Sequence, residues 1–132
     1  MNLNYDMYRK LKLVYESLQK SKFRSSFKLG FNEFKYIETK GLKVINRHCK
    51  DFLYCRISKI SSSKFKDGKQ TPYKGHPVFI AQHATGVCCR KCLKKWHGIP
   101  IDRELFDEEI IYLCSLIMYW IKKQIKFNQG KK

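Results

Sequence analysis

The feature that most constrains this sequence is a dense group of cysteines and histidines late in the chain. Three of the four histidines and three of the six cysteines fall within residues 76–97. Thiolate and imidazole groups are the ligands that zinc prefers, usually in a tetrahedral set of four. In a reducing compartment, clustered cysteines serve metal binding more often than disulfide bonding. The segment therefore predicts a zinc site whose candidate ligands are His76, His83, Cys88, Cys89, Cys92 and His97.

The spacing of these residues narrows the set. Cys89, Cys92 and His97 have the first three spacings of a Cys-Cys-His-Cys zinc knuckle. Asp102 stands where a knuckle has its last cysteine, so the fourth ligand is either Asp102 or a residue upstream.

Helix geometry limits the upstream choices. If residues 77–84 are helical, His76 and His83 stand about 10 Å apart along the axis, too far to share one ion. Cys88 and Cys89 cannot easily face one ion from a helix either. We predict the ligands His83, Cys89, Cys92 and His97, with Cys88 and His76 in reserve. The alternative is that the cysteines are small buried apolar side chains and the histidines ordinary hydrogen-bonded groups.

Apolar residues recur at helical spacing through most of the chain. Helices are predicted at residues 5–20, 32–40, 42–57, 77–84 and 107–126, with Asn32 capping the second and a strand at 78–81 as an alternative. Cys49, Cys55 and Cys114 fall on apolar faces and are predicted to be core. Residues 58–75 form a long basic loop. The predicted fold is mainly α: one compact domain over residues 1–132, with the zinc-binding segment before the C-terminal helix.

The charge of the chain points to a polyanionic partner. The formal net charge is +17, and residues 1–101 hold 22 basic and 6 acidic groups, or +16 of that total. Such a field attracts nucleic acid in a salt-dependent way without conferring sequence selectivity. The lysines of the long loop are the predicted phosphate contacts: Lys59, Lys64, Lys66, Lys69 and Lys74. The alternative is a solvated charge run that needs no partner.

No membrane segment is predicted. The first residues mix charged and polar side chains with apolar ones, unlike a secretory signal, and the apolar run at 110–121 is too short to cross a bilayer. We therefore expect a cytoplasmic protein.

Several segments together resemble a known family. They are GKQTP at 68–72, GHPVFIAQHAT at 75–85, CCRKC at 88–92 and KWHGIP at 95–100, with further similarity at SKFRSSF (21–27) and in the final helix. This pattern resembles the prokaryotic domain-of-unknown-function family 4186. The resemblance implies one compact domain in which the six cysteines and histidines of 76–97 are motif positions, and it implies no activity. The chain departs from the family in its lysine-rich stretches at 61–66 and 126–132.

Three functions fit these observations. The first is a zinc-stabilised basic module that contacts nucleic acid. The second is a metal-dependent hydrolase or nuclease with an open metal position, in which His76, His48 or Asp51 is the base; His48 and Asp51 are also candidates for bracing a metal ligand. The third is an interaction protein for an acidic protein partner.

Overall fold

The structure is a computed structural model that describes residues 3–59 and 71–130, with side chains from residue 5 onward. Its described residues form helices and no strand. The helices are α1 (Leu3–Gln19), α2 (Lys22–Ser25), α3 (Phe31–Lys40), α4 (Leu42–Phe52), α5 (Pro77–Ala84), α6 (Arg90–His97) and α7 (Asp107–Gly130), and a π-helical turn, Leu53–Ile57, continues α4. The predicted mainly α fold, with a Cys segment ahead of the C-terminal helix, is confirmed.

Helix α7 is the centre of the core. It packs against α1, α4 and α5, and its buried side chains include Leu113, Ile117, Trp120 and Ile121. Three acidic residues occupy its first turn, where they oppose the positive end of the helix dipole. The apolar stripe of α7 is therefore the surface against which α1, α4 and α5 pack.

Helix α5 is buried on every side. All eight of its residues are buried, and it contacts α2, α3, α4 and α7. Pro77 occupies its first turn, where a missing N–H costs nothing, and His76 caps it by accepting a hydrogen bond at Nδ1 from the Val78 N–H at 3.0 Å. Six of its eight residues are apolar, as suits a helix in a core, and it carries His83 into the interior.

Some sequence predictions were wrong in detail. Helix α3 begins at Phe31 after a Gly30 cap, and Glu33 Oε1 accepts the Gly30 N–H at 2.7 Å, so Asn32 is inside the helix. Cys49 and Cys114 are buried as predicted, whereas Cys55 is exposed because it lies two residues from both Leu53 and Ile57, which are buried, and so falls on the opposite side of the helix. Residues 58–59 and 71–75 of the long loop are described, and the part that contains Lys64, Lys66 and Lys69 lies outside the described residues.

Candidate metal centre

The three cysteines of residues 88–92 are brought together by the chain reversal between α5 and α6. Gly86 has φ 71°, a left-handed conformation that favours glycine. A Cβ on Gly86 would lie 2.7 Å from Trp96 Cδ1, so the backbone approaches that ring as only glycine allows. The close approach holds residues 86–89 against α6.

The sulfur atoms of Cys88, Cys89 and Cys92 lie within 4.8 Å of one another. Cys88 and Cys89 are buried and Cys92 is half-buried. Sulfur ligands at about 2.3 Å from a tetrahedral zinc are about 3.8 Å apart, so the cluster needs little adjustment to bind one ion. The three cysteines could therefore hold a metal.

Cys88 was predicted only as a reserve ligand because two adjacent cysteines within a helix cannot easily face one ion. In the structure neither Cys88 nor Cys89 is within a helix. Cys89 is the N-cap of α6 with extended backbone (φ −162°, ψ 169°), and the helix begins only at Arg90. Because neither Cys88 nor Cys89 is inside the helix, both side chains can turn to the same side as Cys92.

Arg24 lies against the cluster, although no sequence pattern pointed to it. Its guanidinium donates hydrogen bonds to Cys92 Sγ at 3.1 Å, to Cys88 Sγ at 3.5 Å and to the His83 carbonyl at 2.6 Å. Only 7% of Arg24 is exposed, which is rare for a charged residue without a partner. It is presented by α2, whose N-cap Ser21 accepts from the Arg24 N–H at 3.1 Å.

This arrangement distributes protons unequally over the thiols. Hydrogen bonds from Cys88 and Cys89, followed by that from Arg24, lower the pKa of Cys92 well below its usual range. Hydrogen bonds to Cys89 and Cys92, together with burial, raise the pKa of Cys88 well above its usual range. Cys92 is thus the thiolate of the cluster, and a metal ion would displace the remaining protons.

His83 lies beside the cluster with its ring held in place. Its Nε2 is 3.1 Å from the carbonyl oxygens of both Thr71 and Pro72. Carbonyl oxygens only accept, so Nε2 carries the proton and Nδ1 is the nitrogen with a free lone pair. Burial lowers the pKa of His83, which keeps the ring neutral. Neither ring nitrogen of His83 belongs to the set of atoms that lie within 4.8 Å of one another at the cluster. The role of His83 as a metal ligand stays a prediction.

His97 has protein partners at both ring nitrogens. Nε2 donates to the Thr85 carbonyl at 2.9 Å, and the Tyr112 hydroxyl lies 3.4 Å from Nδ1. Burial lowers the pKa of His97 to about 4. The structure does not group His97 with the cysteines, and the alternative fourth ligand, Asp102, is exposed and also outside the group. The predicted role of His97 as a ligand stays a prediction.

His76 and His48 form a separate pair. His48 Nδ1 is 3.0 Å from His76 Nε2, and the rings of Tyr36 and Phe52 pack around them. Because His76 Nδ1 accepts from the backbone, its Nε2 carries the proton and donates to His48. Asp51 is exposed, and within the described contacts His48 pairs with His76 instead of with Asp51. Neither histidine is grouped with the cysteines.

The loop lysines can be placed in part. Lys59 and Lys74 are exposed, as is every other lysine of residues 5–59 and 71–130 except the half-buried Lys123. Thr71, by contrast, is buried, and its hydroxyl donates to the Cys88 carbonyl at 2.8 Å. The chain that follows residue 70 is therefore anchored on the cysteine segment.

Fold and site together define a mainly helical domain with a three-cysteine cluster that could bind a metal ahead of its last helix. Among the helices of residues 3–59 and 71–130, none combines the length and apolar character needed to cross a membrane. The family described as "domain of unknown function (DUF4186)" matches residues 12–122, and the chain belongs to that family. No solved structure matches the chain.

Proposed function

We propose that Cys88, Cys89 and Cys92 bind one zinc ion, and that the chain is a zinc-stabilised basic module that contacts nucleic acid in the cytoplasm. The observation that carries the proposal is the convergence of three thiol sulfurs within 4.8 Å at one surface-adjacent site. Soft thiolate ligands select zinc over magnesium or calcium, which prefer oxygen.

Charge balance is compatible with a bound ion. Three thiolates and one Zn²⁺ carry a net charge of −1, and the Arg24 guanidinium, which donates to two of the sulfurs, supplies the compensating positive charge. Without the ion, the Cys92 thiolate alone balances Arg24, so the buried charge is neutral in both states. With the ion, the buried charges also cancel locally, as buried charges in proteins generally must.

His83 is the fourth ligand in this proposal. A metal-binding histidine usually donates its other ring N–H to a backbone carbonyl, which fixes the ring and its tautomer. His83 has that arrangement, with Nε2 bonded to the Thr71 and Pro72 carbonyls and Nδ1 left for a ligand. With Nδ1 bound to the ion, His83 and the three cysteines would form a four-ligand site, which is the closed form that structural zinc sites take.

Nucleic-acid contact is supported by charge. The chain carries +17, and the lysines that the structure describes are exposed apart from Lys123, including Lys59 and Lys74 near the two ends of the long loop. A surface of this kind meets phosphates through counterion release, so the affinity should fall steeply with salt.

The zinc site is tested by the zinc content and the zinc affinity of the purified protein. Elemental analysis of the purified protein should give about one zinc per chain, which is lost in Cys92→Ser and retained in Cys55→Ser, whose cysteine is exposed and outside the cluster. His83→Ala should lower zinc affinity more than His97→Ala does. Zinc retained in full by Cys92→Ser would refute the site.

Binding is measured separately. A labelled oligonucleotide should bind the zinc-loaded protein at low salt and dissociate as salt rises. If no oligonucleotide binds at low salt, the nucleic-acid part of the proposal fails while the zinc site stands. Capture of acidic proteins after nuclease treatment would then favour the acidic-partner alternative.

The hydrolase alternative keeps one supporting observation. The grouped ligands number three, and a zinc ion held by three protein groups has a position for an activated water. Tetrahedral coordination by four protein ligands, measured by X-ray absorption spectroscopy, would exclude that alternative.

A further inference from the structure

Exposed aromatic rings gather beside the metal cluster. Phe23 is 53% exposed and Tyr73 is 61% exposed, and the half-buried Phe27 lies between them, with ring centroids 5.2 Å from Phe23 and 6.3 Å from Tyr73. We name Phe23, Phe27 and Tyr73 the aromatic platform. Exposed contiguous apolar surface is costly to maintain and commonly marks a binding site.

The Tyr73 ring is fixed on a rigid base. It stacks on His83 with centroids 4.0 Å apart and planes 7° from parallel. His83 is itself held by hydrogen bonds to the Thr71 and Pro72 carbonyls. His83 covers one face of the ring and Phe27 lies nearly parallel to it, with planes 17° apart, while 61% of Tyr73 is exposed, so part of the ring is open to solvent. A flat, preoriented aromatic face is suited to stack on another flat ring.

In sequence, the surroundings of the platform are basic. Each of its rings has an exposed lysine next to it in sequence: Lys22, Lys28 and Lys74. Residues 21–30 and 71–75 contain no acidic residue. A ligand that complements this surface has flat rings that can stack on the aromatic platform and negative charges that can face the lysines. Unpaired nucleic acid has that chemistry, whereas a duplex hides its base faces in the stack.

We propose that the aromatic platform binds single-stranded nucleic acid, with bases stacked on Tyr73 and Phe23 and phosphates facing Lys22, Lys28 and Lys74. This inference rests on the proposed nucleic-acid function and adds to it the form of the strand and the residues that meet it.

The platform is also connected to the metal cluster. Arg24 Cζ lies 5.1 Å from the Phe23 ring centroid, and Arg24 donates to Cys92. Tyr73 rests on His83, the proposed fourth ligand. Metal binding would thus hold both ends of the platform, and strand binding should weaken when zinc is removed.

The test is fluorescence anisotropy of the zinc-loaded protein with three labelled probes of equal backbone charge. They are a short oligothymidylate, the same backbone with abasic sites, and a duplex with half as many base pairs as the thymidylate has nucleotides. The thymidylate should bind most tightly, and loss of the bases should weaken binding by roughly tenfold or more, because each stacked base contributes substantially. Tyr73→Ala should weaken thymidylate binding by roughly tenfold, and Tyr73→Phe should leave it unchanged.

Tyr5→Ala is the matched control, because Tyr5 is 59% exposed on α1, where its ring lies near Arg9. It should bind the thymidylate as the wild type does. Zinc content is measured for every variant, and if Tyr73→Ala loses zinc, Phe23→Ala with zinc retained decides the matter by the same tenfold criterion.

The outcomes separate this inference from the proposed function. Equal affinity for the thymidylate, abasic and duplex probes would overturn the platform while leaving nucleic-acid contact in place. Unchanged affinity of zinc-loaded Tyr73→Ala and Phe23→Ala would do the same. Absence of binding by the wild type to every probe at low salt would instead remove the proposed function itself.

Discussion

Replacing Arg24 tests the central claim about the metal cluster. Two of its three hydrogen bonds end on cluster sulfurs, at 3.1 Å for Cys92 and 3.5 Å for Cys88. A hydrogen bond to a charged group contributes about 1.5–3 kcal/mol, and the longer of these two should contribute little. We therefore expect Arg24→Met to lose about 2 kcal/mol of zinc binding, or roughly thirtyfold in affinity, within the range seen for partners of metal ligands.

Zinc affinity is measured by competition with a chromophoric chelator. Arg24→Lys should fall between wild type and Arg24→Met, because one ammonium group cannot reach both sulfurs and the His83 carbonyl as the planar guanidinium does. Arg47→Met, at an exposed arginine of α4, controls for the loss of one positive charge and should bind zinc as the wild type does. A folded Arg24→Met protein with wild-type zinc affinity would refute the assignment of Arg24 to the site.

Three further predictions concern stability, measured by urea unfolding. Gly86→Ala should lose about 2–4 kcal/mol, because the new Cβ meets Trp96 in a left-handed conformation, whereas Gly98→Ala, with a positive φ but open space, should lose about 1 kcal/mol. Burial and the charge of His48 lower the pKa of His76 to about 4, so the folded state favours the neutral ring. The free energy of unfolding is therefore at its full value above the ordinary pKa of 6.5 and decreases as the pH falls from 6.5 toward 4. Between pH 7 and pH 5 the wild type should lose about 2 kcal/mol more than His76→Asn, which keeps a capping side chain, and equal losses would contradict this. Arg90→Met should lose about 3–5 kcal/mol, because the fully buried guanidinium donates to backbone carbonyls of four residues, and a loss below 1 kcal/mol would count against that role.

The helices could be predicted where the controlling interactions are local. Pro77 and Gly86 bracket α5, and the bounds predicted from them, Pro77–Ala84, are confirmed. The C-terminal helix was predicted from its apolar stripe and its acidic first turn, and it is confirmed at Asp107–Gly130, four residues longer at its end than predicted. The predicted start of α3 at Asn32 was wrong because the Glu33 side chain accepts a hydrogen bond from the Gly30 N–H. Residue propensities do not decide between Gly30 and Asn32 as the cap.

The candidate site could be predicted only as a segment. The density of Cys and His in 76–97 located it, and the structure groups Cys88, Cys89 and Cys92 within it. Spacing rules assumed one helix through Cys88 and Cys89, and the extended backbone at Cys89 removes that assumption. The place of Arg24 in the site could not be predicted from a local sequence pattern, because Arg24 and Cys88 are 64 residues apart in the sequence. The one indication was its place in the 21–27 segment, which shares the resemblance to the family.

The distribution of these contacts determines what a metal ion can stabilise. The three cysteines lie within five consecutive residues, so an ion bound to them alone closes only a short loop and removes little chain entropy. Remote segments reach the site through Arg24 of α2 and through Thr71, whose hydroxyl donates to the Cys88 carbonyl. The core of α4 and α7, by contrast, is built from apolar side chains that do not involve the cluster. Zinc removal should therefore loosen residues 21–25 and 71–73 while α7 stays packed, and hydrogen exchange that instead shows α7 opening with loss of zinc would mean that the ion holds the whole fold.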